Sequence, residues 1–552
     1  MSSEGLSVGG VAEGPLGVSS DRWATRTAVL IVGATIWRLV WLWFSPYSLA
    51  EDEAWYWLWS RHLDWCYTTK GPGIAWAIWL STHLFGDTAF GVRFLAPIFM
   101  SLSAWFAAGL TIDLTRSRRA GFWAAMVMLL SPAFQVLSMV MTIDPPLVAC
   151  WMGACWSGWR ATRGLCRGAW LALGAAVAIG SLFKLTMLLV IPGIAACAWM
   201  WRHEPSRVVA GRASPGREGQ SVLWPLASVV VALLGLMPMV IWNAREGWPT
   251  VHHLLEHLHQ PSPTGGKSSF TPQWLLEYVG IQIAISLVPL GMIVAGWGAL
   301  RDRSREAWRY VLWSVLPLLL GYVPVALVTK TQGNWTIAAH ATLAVMAGVC
   351  ELGERTGRRA EMARRGVRIL LGVGLVVGVL LPRMDVFAMG VDRVREALGD
   401  SAPSWLLIPI HRVMGADRMG VDAGRRLEKL RGETSQEPIL LIDHYGEASL
   451  LEFSIAGHPR TYCSSAYTGG RETQFDHWAD RDLARVESEL LGRPALIVGN
   501  GYEGSMLGGA WIAAFDRAEP VGALDGDGKS RPVFIGYGYR GMRALQKGTT
   551  GE

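Results

Sequence analysis

Three consecutive acids, Glu51, Asp52 and Glu53, follow the first long apolar run of this 552-residue chain. An aromatic stretch comes directly after them and predicts a segment that lies along the membrane surface, with its acids at the level of the lipid headgroups. A partly desolvated carboxylate there has a raised pKa and can accept a proton from a hydroxyl or an amine. We therefore predict that Asp52 or Glu53 is a general base. A solvated helix start, where acids are also favoured, is the structural alternative.

A lysine in the same loop is presented on a turn-forming backbone, because Lys70 is followed by Gly71, Pro72 and Gly73. A lysine ammonium group carries three hydrogen-bond donors and suits a phosphate oxygen. We predict that Lys70 binds phosphate and that Tyr67 contributes to the same substrate site. The alternative for Lys70 is an ordinary interfacial side chain that extends towards the headgroups.

Two ionisable residues lie close to hydrocarbon. Asp144 stands before Pro145 in a very short turn between two apolar runs, and Lys184 interrupts another apolar stretch. Charges at this depth are energetically costly and indicate function. We predict that Asp144 takes part in catalysis and that Lys184 pairs with an acid or binds an anionic headgroup. An Asp before proline is also a common helix start, which is the structural alternative for Asp144.

Polar residues in two further loops complete the candidate site. Asn334 and Lys330 are well placed to bind a sugar or a phosphate. Trp335 is a further substrate-binding candidate, although a tryptophan here is also typical of an aromatic membrane anchor. In another loop, His253 and His257 have the helical spacing of a metal-ligand pair. The sequence permits a divalent metal there but requires no cofactor, because histidines that contact phosphate or water explain the same cluster.

The elements that carry these residues have the composition of a membrane protein, with 51% hydrophobic and 17% charged residues. The apolar residues gather into runs that approach the roughly 20 residues needed for a membrane helix. Residues 169–201 hold two short spans with Lys184 near the turn between them, which brings the expected total to about eleven crossings. The other main runs are residues 28–44, 90–112, 121–137, 147–159, 222–242, 278–300, 310–328, 336–350 and 367–381.

Arginine clusters fall in alternate loops, which predicts that those loops are cytoplasmic and that the candidate residues lie in the outer loops. These arginines account for the net charge of +6, so no nucleic-acid partner is needed. In the C-terminal part, residues 438–443 and 495–498 predict buried strands and residues 447–455 a helix between them. The expected units are a cytoplasmic tail at 1–27, a membrane domain at 28–382 and an extracytoplasmic α/β domain at 383–552.

Taken in order, the motifs of this chain resemble those of bacterial glycosyltransferase family 39 proteins, which are relatives of the protein O-mannosyltransferases and of the lipid A aminoarabinose transferase. The resemblance extends from the first span to about residue 500. It implies a GT-C fold in the plasma (inner) membrane. It also implies transfer of a sugar, with inversion, from a polyprenyl phosphate to a lipid, glycan or protein acceptor on the outer face. The motifs occupy residues 52–57, 62–65, 70–72, 142–147, 183–186, 242–248, 334–335 and 470–478.

The resemblance also assigns roles to individual residues. Asp52 matches the family's catalytic acid or base. Where relatives often have a Lys or His followed by two prolines, this chain has Gly71 and Pro72 after Lys70, so a less rigid loop is expected. The residues that would shape the pocket or hold the lipid phosphate are Glu53, Asp144, Lys70, Lys184 and Arg245.

A transporter or flippase of a lipid-linked or anionic substrate is the main alternative, because Lys184 lies within an apolar stretch. Transporters often show internal repeats and broken helices that meet near the bilayer midplane. This chain has no clear repeat, and its acids lie at the outer edge of the predicted spans. A scaffold that only anchors the outer domain would not need Asp144 near hydrocarbon. The sequence therefore favours a membrane glycosyltransferase.

Overall fold

In the computed structural model, the larger, N-terminal part of the chain is apolar and helical, and the C-terminal part contains a small sheet. The structure describes residues 16–202, 222–252, 272–287, 289–290, 293, 305–351, 358–398, 413–468, 470, 472–499, 511–526 and 529–542.

Helices are the expected result of long apolar runs, because a helix satisfies its backbone hydrogen bonds within one segment. The helices of this part are α1 (Leu16–Trp43), α2 (Glu51–Arg61), α3 (Gly73–Phe85), α4 (Ala89–Arg93), α5 (Leu95–Thr115), α6 (Arg118–Leu130), α7 (Pro132–Leu137), α8 (Asp144–Thr162), α9 (Gly168–Phe183), α10 (Val190–Arg202), α11 (Leu223–Glu246), α12 (Pro272–Ile285), α13 (Arg305–Gly321), α14 (Val323–Val328), α15 (Ile337–Glu351), α16 (Arg358–Leu380) and α17 (Met384–Leu398).

Within the described ranges, four helical stretches are long and apolar enough to cross a membrane: Arg22–Trp43, Ala89–Thr115, Leu223–Glu246 and Trp308–Val328. Three shorter apolar helices accompany them, at Gly73–Phe85, Gly168–Phe183 and Leu185–Trp201. The predicted run at 121–137 is not one continuous helix. It divides at Ser131, because Pro132 lacks a backbone N–H and starts a new helix.

The predicted interruption at Lys184 is confirmed. Helix α9 ends at Phe183, Lys184 has an extended backbone, and a 3-10 helix (Leu185–Leu189) leads into α10. The break therefore brings a lysine to the end of an apolar helix. Asp144, in turn, occupies the first helical position of α8, with Pro145 and Pro146 in the same turn.

The C-terminal part forms a five-stranded mixed sheet with helices. Strand β1 pairs in parallel with β2 and β3, and β3 continues antiparallel into β5 and then β4, which gives the order β2-β1-β3-β5-β4. The two predicted strands and the helix between them are confirmed. The elements are α18 (Ala416–Thr434), β1 (Ile439–Ile442), α19 (Tyr445–Ser454), β2 (Thr461–Cys463), α20 (Glu487–Leu490), β3 (Ala495–Val498), β4 (Phe515–Gly526) and β5 (Lys529–Tyr539).

Helix α2 and the C-terminal domain share one hydrophobic core. Trp55 of α2 stacks on Phe475, with ring centroids 5.3 Å apart and an interplanar angle of 11°. Trp57 packs edge-on against Phe453 of α19, and both tryptophans are almost fully buried. Leu440 of β1 belongs to the same cluster. The segment expected along the membrane surface is therefore covered by the sheet domain, and the two parts fold against each other.

A buried ion pair fixes α2 from the membrane side. The guanidinium of Arg93, in α4, makes a two-pronged contact with the Glu53 carboxylate, through Nε to Oε1 (2.8 Å) and Nη2 to Oε2 (2.6 Å). Glu53 also accepts hydrogen bonds from the backbone N–H groups of Ala50 and Met141. One carboxylate thus joins α2, α4 and the segment before α8.

Replacing Arg93 with Met should destabilise the protein, because the Glu53 carboxylate would remain buried without its cation. Removing one partner of a buried ion pair costs about 3–5 kcal/mol. The measurement is thermal unfolding of the purified protein in detergent, with Arg61→Met as a matched control, since the Arg61–Asp87 pair is partly exposed. Equal melting temperatures for the two variants would contradict the prediction.

Candidate active site

A cavity of about 230 Å³ lies where α2, the ends of several membrane helices and the C-terminal domain meet. The sequence-predicted residues that line it come from four separate segments of the chain: Asp52, Lys70, Asp144, Lys184, Asn334 and Trp335. The fold therefore brings together six of the residues selected from the sequence.

Asp52 stands in the first turn of α2 and faces the cavity. Its side chain is accessible from the cavity, but the surrounding protein displaces much of its water. Burial raises the pKa of Asp52, the charge of Glu51 raises it further, and Lys70 opposes the change. Within the described residues, its carboxylate has no hydrogen bond or ion pair. These properties are those of a carboxylate that can exchange a proton with a bound substrate.

Tyr56, one helical turn after Asp52, also lines the cavity. Burial and the charge of Asp52 raise the pKa of the Tyr56 phenol well above its ordinary value. The hydroxyl therefore stays protonated and remains a hydrogen-bond donor near the carboxylate.

Asp144 is almost fully buried, and two residues from distant parts of the chain hold its carboxylate. Lys184 Nζ lies 3.0 Å from Oδ1, and Asn334 Nδ2 donates to Oδ2 at 2.8 Å. The prediction that Lys184 pairs with an acid is confirmed, and the acid is Asp144. Both carboxylate oxygens are occupied, so this group ties α8, the end of α9 and the segment of Asn334 into one wall of the cavity.

The turn that carries Lys70 packs tightly against the end of α9. A Cβ atom at Gly71 would lie 2.2 Å from the carbonyl oxygen of Leu182, a distance that side chains cannot adopt. Gly71 therefore permits the turn to approach α9, and the lysine is placed near Lys184. From the sequence, Gly71 in place of the family's proline predicted only a less rigid loop. In the structure, Gly71 also has a packing role, because it allows the turn to lie against α9.

Four predicted site residues do not line this cavity, and one of them is Lys330, which is largely exposed beside Glu277. Glu53 is fully buried with Arg93, so its carboxylate is engaged in the ion pair that holds α2. Tyr67 is fully buried, stacks on Trp59 at 4.3 Å, and donates its hydroxyl hydrogen to backbone carbonyls. Arg245 is exposed near the end of α11 and lies outside the lining.

The predicted metal ligands His253 and His257 lie outside the described residues. Among the residues that the structure does describe, no group of three or more His, Cys, Asp or Glu side chains is arranged to hold a metal ion.

Several lining residues were not identified from the sequence. The turn before Lys70 contributes Thr68, whose buried Oγ1 has no hydrogen-bond partner within the described part of the chain. The C-terminal domain contributes Tyr445 at the start of α19 and a short segment before a 3-10 helix (Gln474–His477). The motif at 470–478 was the available signal, but sequence alone did not show that it reaches the first loop. The other unassigned lining residues are Trp55, Thr69, Thr142, Ile143, Gln332, Glu472, Thr473 and Gln474.

Comparisons with known proteins agree with this architecture. Residues 69–242 match the protein family described as dolichyl-phosphate-mannose-protein mannosyltransferase. The chain is 27% identical over 410 residues to the lipid A galacturonosyltransferase RgtD of Rhizobium johnstonii, covering 71% of this chain and 82% of that protein. It is 25% identical over 495 residues to undecaprenyl phosphate-alpha-4-amino-4-deoxy-L-arabinose arabinosyl transferase 2 of Sodalis glossinidius, covering 76% and 83%.

The fold is also similar to a solved structure. ArnT from Cupriavidus metallidurans, in its crystal structure bound to undecaprenyl phosphate, matches with a TM-score of 0.61 and 17% sequence identity. The match covers 93% of this chain and 98% of that one. The chain therefore has the GT-C fold of membrane glycosyltransferases, and part of its sequence is similar to the protein mannosyltransferases. The protein crosses the membrane several times, and its cavity lies between the membrane helices and the C-terminal domain.

Replacing Lys184 with Met should lower the melting temperature of the protein, because Asp144 would keep a buried negative charge after losing its cation. The expected cost is about 3–5 kcal/mol. The double variant Asp144→Asn/Lys184→Met removes both charges and should recover much of the lost stability. Thermal unfolding in detergent measures both effects. A double variant that is no more stable than Lys184→Met would refute the pairing.

Proposed function

We propose that this protein is a transferase that moves a sugar from a polyprenyl-phosphate donor to an acceptor on the outer face of the plasma (inner) membrane, with inversion at the anomeric carbon. The observation that carries the proposal is the cavity, where Asp52 lies among residues that include Lys70 and the Asp144–Lys184 pair. A carboxylate and cations in one site suit a reaction that needs a base and a stabilised phosphate leaving group.

The donor phosphate is assigned to the wall formed by the turn of Lys70. The ammonium group of Lys70 would attract the phosphate charge, and the buried hydroxyl of Thr68 offers a further donor. Lys184 lines the same cavity, but its charge is compensated by Asp144, so Lys70 is the main cation proposed for the phosphate. Asn334 and Trp335 line the same cavity and would contact the sugar. A site at the ends of apolar helices also suits a ligand with a long hydrocarbon tail.

In the proposed reaction, Asp52 accepts the proton of an acceptor hydroxyl while that oxygen attacks the anomeric carbon of the sugar. The bond between that carbon and the phosphate oxygen breaks, and its electron pair leaves with the polyprenyl phosphate. Lys70 stabilises the negative charge on the departing phosphate. Attack from the face opposite the phosphate inverts the configuration. The raised pKa of Asp52 brings its proton affinity closer to that needed for a general base.

The acceptor is proposed to approach from the C-terminal domain, which supplies Tyr445, Glu472 and Thr473 to the cavity. Among a lipid, a glycan and a protein, we favour a lipid of the cell envelope. One named relative is a lipid A galacturonosyltransferase, and it is similar over most of its length. A cavity beside the membrane helices also suits an acceptor that is itself anchored in the bilayer.

The decisive test is transfer of radiolabelled sugar from defined polyprenyl-phosphate sugars to lipid and protein fractions in vesicles that contain the purified transferase. Transfer should occur from one class of donor and persist in the presence of a chelator if no divalent metal takes part. Intact protein that transfers no sugar from any donor would contradict the proposal and favour a transporter, which flipping of the same lipids across the vesicle membrane would reveal.

Asp52→Asn should lower kcat by about 10²–10⁴-fold, because the amide cannot accept the acceptor proton. The matched control is Asp87→Asn, which changes a partly exposed carboxylate in the same loop outside the cavity. In the wild type, activity should fall as the pH falls through the pKa of Asp52, at a pH above the usual range of aspartate, because burial and Glu51 raise that pKa. Wild-type turnover in Asp52→Asn would exclude this residue as the base.

Lys70→Ala should raise the KM for the polyprenyl-phosphate donor more than the KM for the acceptor, because the phosphate would lose a cation. A charge-assisted hydrogen bond contributes about 1.5–3 kcal/mol, which corresponds to a change in donor affinity of about 10- to 150-fold. Lys330→Ala is the control, since Lys330 is largely exposed beside Glu277 and lies outside the cavity. An unchanged donor KM in Lys70→Ala would assign the phosphate to other groups.

A further inference from the structure

The C-terminal domain contacts the first loop at two places beside the cavity. One is the start of α2, which carries Asp52, and the other is the turn that carries Lys70. We propose that Lys529 and Gln474 of this domain are positioning residues, which hold Asp52 and Lys70 respectively in the geometry and charge state that transfer requires. This inference rests on the proposed function of the cavity.

The first contact is an ion-pair network at the start of α2. Lys529 Nζ lies 3.0 Å from Glu51 Oε1 and 3.5 Å from Glu447 Oε1. Glu447 is fully buried and also contacts Arg531 Nε at 3.0 Å. Lys529 is therefore held in place by the interior of the C-terminal domain. Its ammonium group extends that network to the residue directly before Asp52.

Close packing supports the same contact. The first turn of α19 approaches the first turn of α2 so closely that a Cβ atom at Gly446 would lie 3.1 Å from the Glu51 side chain. Helix α2 thus begins against the C-terminal domain, and its Glu51 side chain has little freedom to move away from Lys529. The position of Asp52, one residue later, follows from this contact.

Lys529 also controls the charge next to Asp52. Glu51 raises the proton affinity of Asp52 by like-charge repulsion, and the cation of Lys529 partly neutralises Glu51. Removing Lys529 should therefore increase the repulsion, and removing the charge of Glu51 should decrease it. His444, just before α19, also faces Glu51, with its Nδ1 3.9 Å from Glu51 Oε2. The other titratable or charged groups that act on Asp52 or line the cavity around it are Glu53, Tyr56, Lys70, Asp144, Lys184, Tyr445 and Glu472.

The second contact fixes the turn before Lys70. Gln474 Oε1 accepts a hydrogen bond from the backbone N–H of Thr68 at 2.8 Å, and both residues are buried. Gln474 is itself held firmly, because Thr473 and Asp476 cap its short helix and Phe475 stacks on Trp55. The C-terminal domain therefore contacts both the start of α2 and the turn before Lys70. These two contacts fix the separation between the proposed base, Asp52, and the phosphate-binding Lys70.

For Lys529, the experiment is the pH dependence of kcat in vesicles. Lys529→Gln should move the acidic limb of the profile to higher pH by about 0.5–1 unit, and Glu51→Gln should move it to lower pH. The double variant should fall between them. Lys429→Gln is the matched control, because Lys429 makes an exposed ion pair on α18. Loss of activity without a shift, or shifts in the same direction for both single variants, would show a merely structural contact and overturn the proposal for Lys529.

For Gln474, the experiment compares Gln474→Leu with the wild type. The donor KM should rise by about tenfold, with a smaller change in kcat, because the Thr68 N–H would lose its buried partner and the Lys70 turn would shift. Gln273→Leu is the control, since Gln273 is exposed and donates a hydrogen bond to Glu277 in its own helix. An unchanged KM together with a lowered kcat would overturn the role of Gln474.

Two measurements that need no turnover separate failure of this inference from failure of the proposed function. The affinity for undecaprenyl phosphate should be lower in Gln474→Leu than in the wild type, and deuterium uptake in residues 51–61 should be faster in Lys529→Gln. Wild-type protein that binds undecaprenyl phosphate but transfers no sugar would overturn the proposed transferase reaction. Equal affinity and equal uptake in variants and wild type would overturn the positioning roles, whatever the activity.

Discussion

The packing of α2 between the membrane helices and the sheet domain is the interaction on which the site depends. One face of this helix presents Trp55 and Trp57 to the C-terminal domain, and these rings become almost fully buried. Burying a large aromatic side chain typically contributes about 1.5–3 kcal/mol, so the joint is strong. On the other side, Glu53 binds Arg93 and the backbone before α8. With α2 fixed from both sides, Asp52 has a defined position at the cavity.

Three neighbouring carboxylates show how surroundings divide chemical roles among residues of one type. Glu53 is neutralised by Arg93, and Asp144 is held by Lys184 and Asn334. Asp52 has no such partner among the described residues, and its pKa is raised by burial and by Glu51. The paired carboxylates can stabilise structure because their charges are compensated. The uncompensated one keeps its capacity to take up a proton, which is the property that the proposed reaction uses.

Much of the candidate site was predictable because its residues differ in polarity from the sequence around them. Asp144 and Lys184 stand out as charges in apolar surroundings, and the strands at 439–442 and 495–498 stand out as short apolar runs. The role of Glu53 was not predictable, since a neighbouring position on a helix can face either solvent or Arg93. Gln474 was missed for a similar reason. Its contact with Thr68 joins residues 406 positions apart, and a single sequence carries no signal of such a pairing.

The shared core between α2 and the sheet domain also affects how the protein is made. A chain emerges from the ribosome from its N-terminus, so α2 appears early, while Phe475 and β5 appear much later. Until then the aromatic face of α2 lacks the surface that buries it, and Asp52 and Lys70 lack the domain that spaces them. A truncated or stalled chain would thus contain the acids and lysines of the site but not their arrangement. The reaction proposed here would therefore require the C-terminal domain as well as the residues of the first loop.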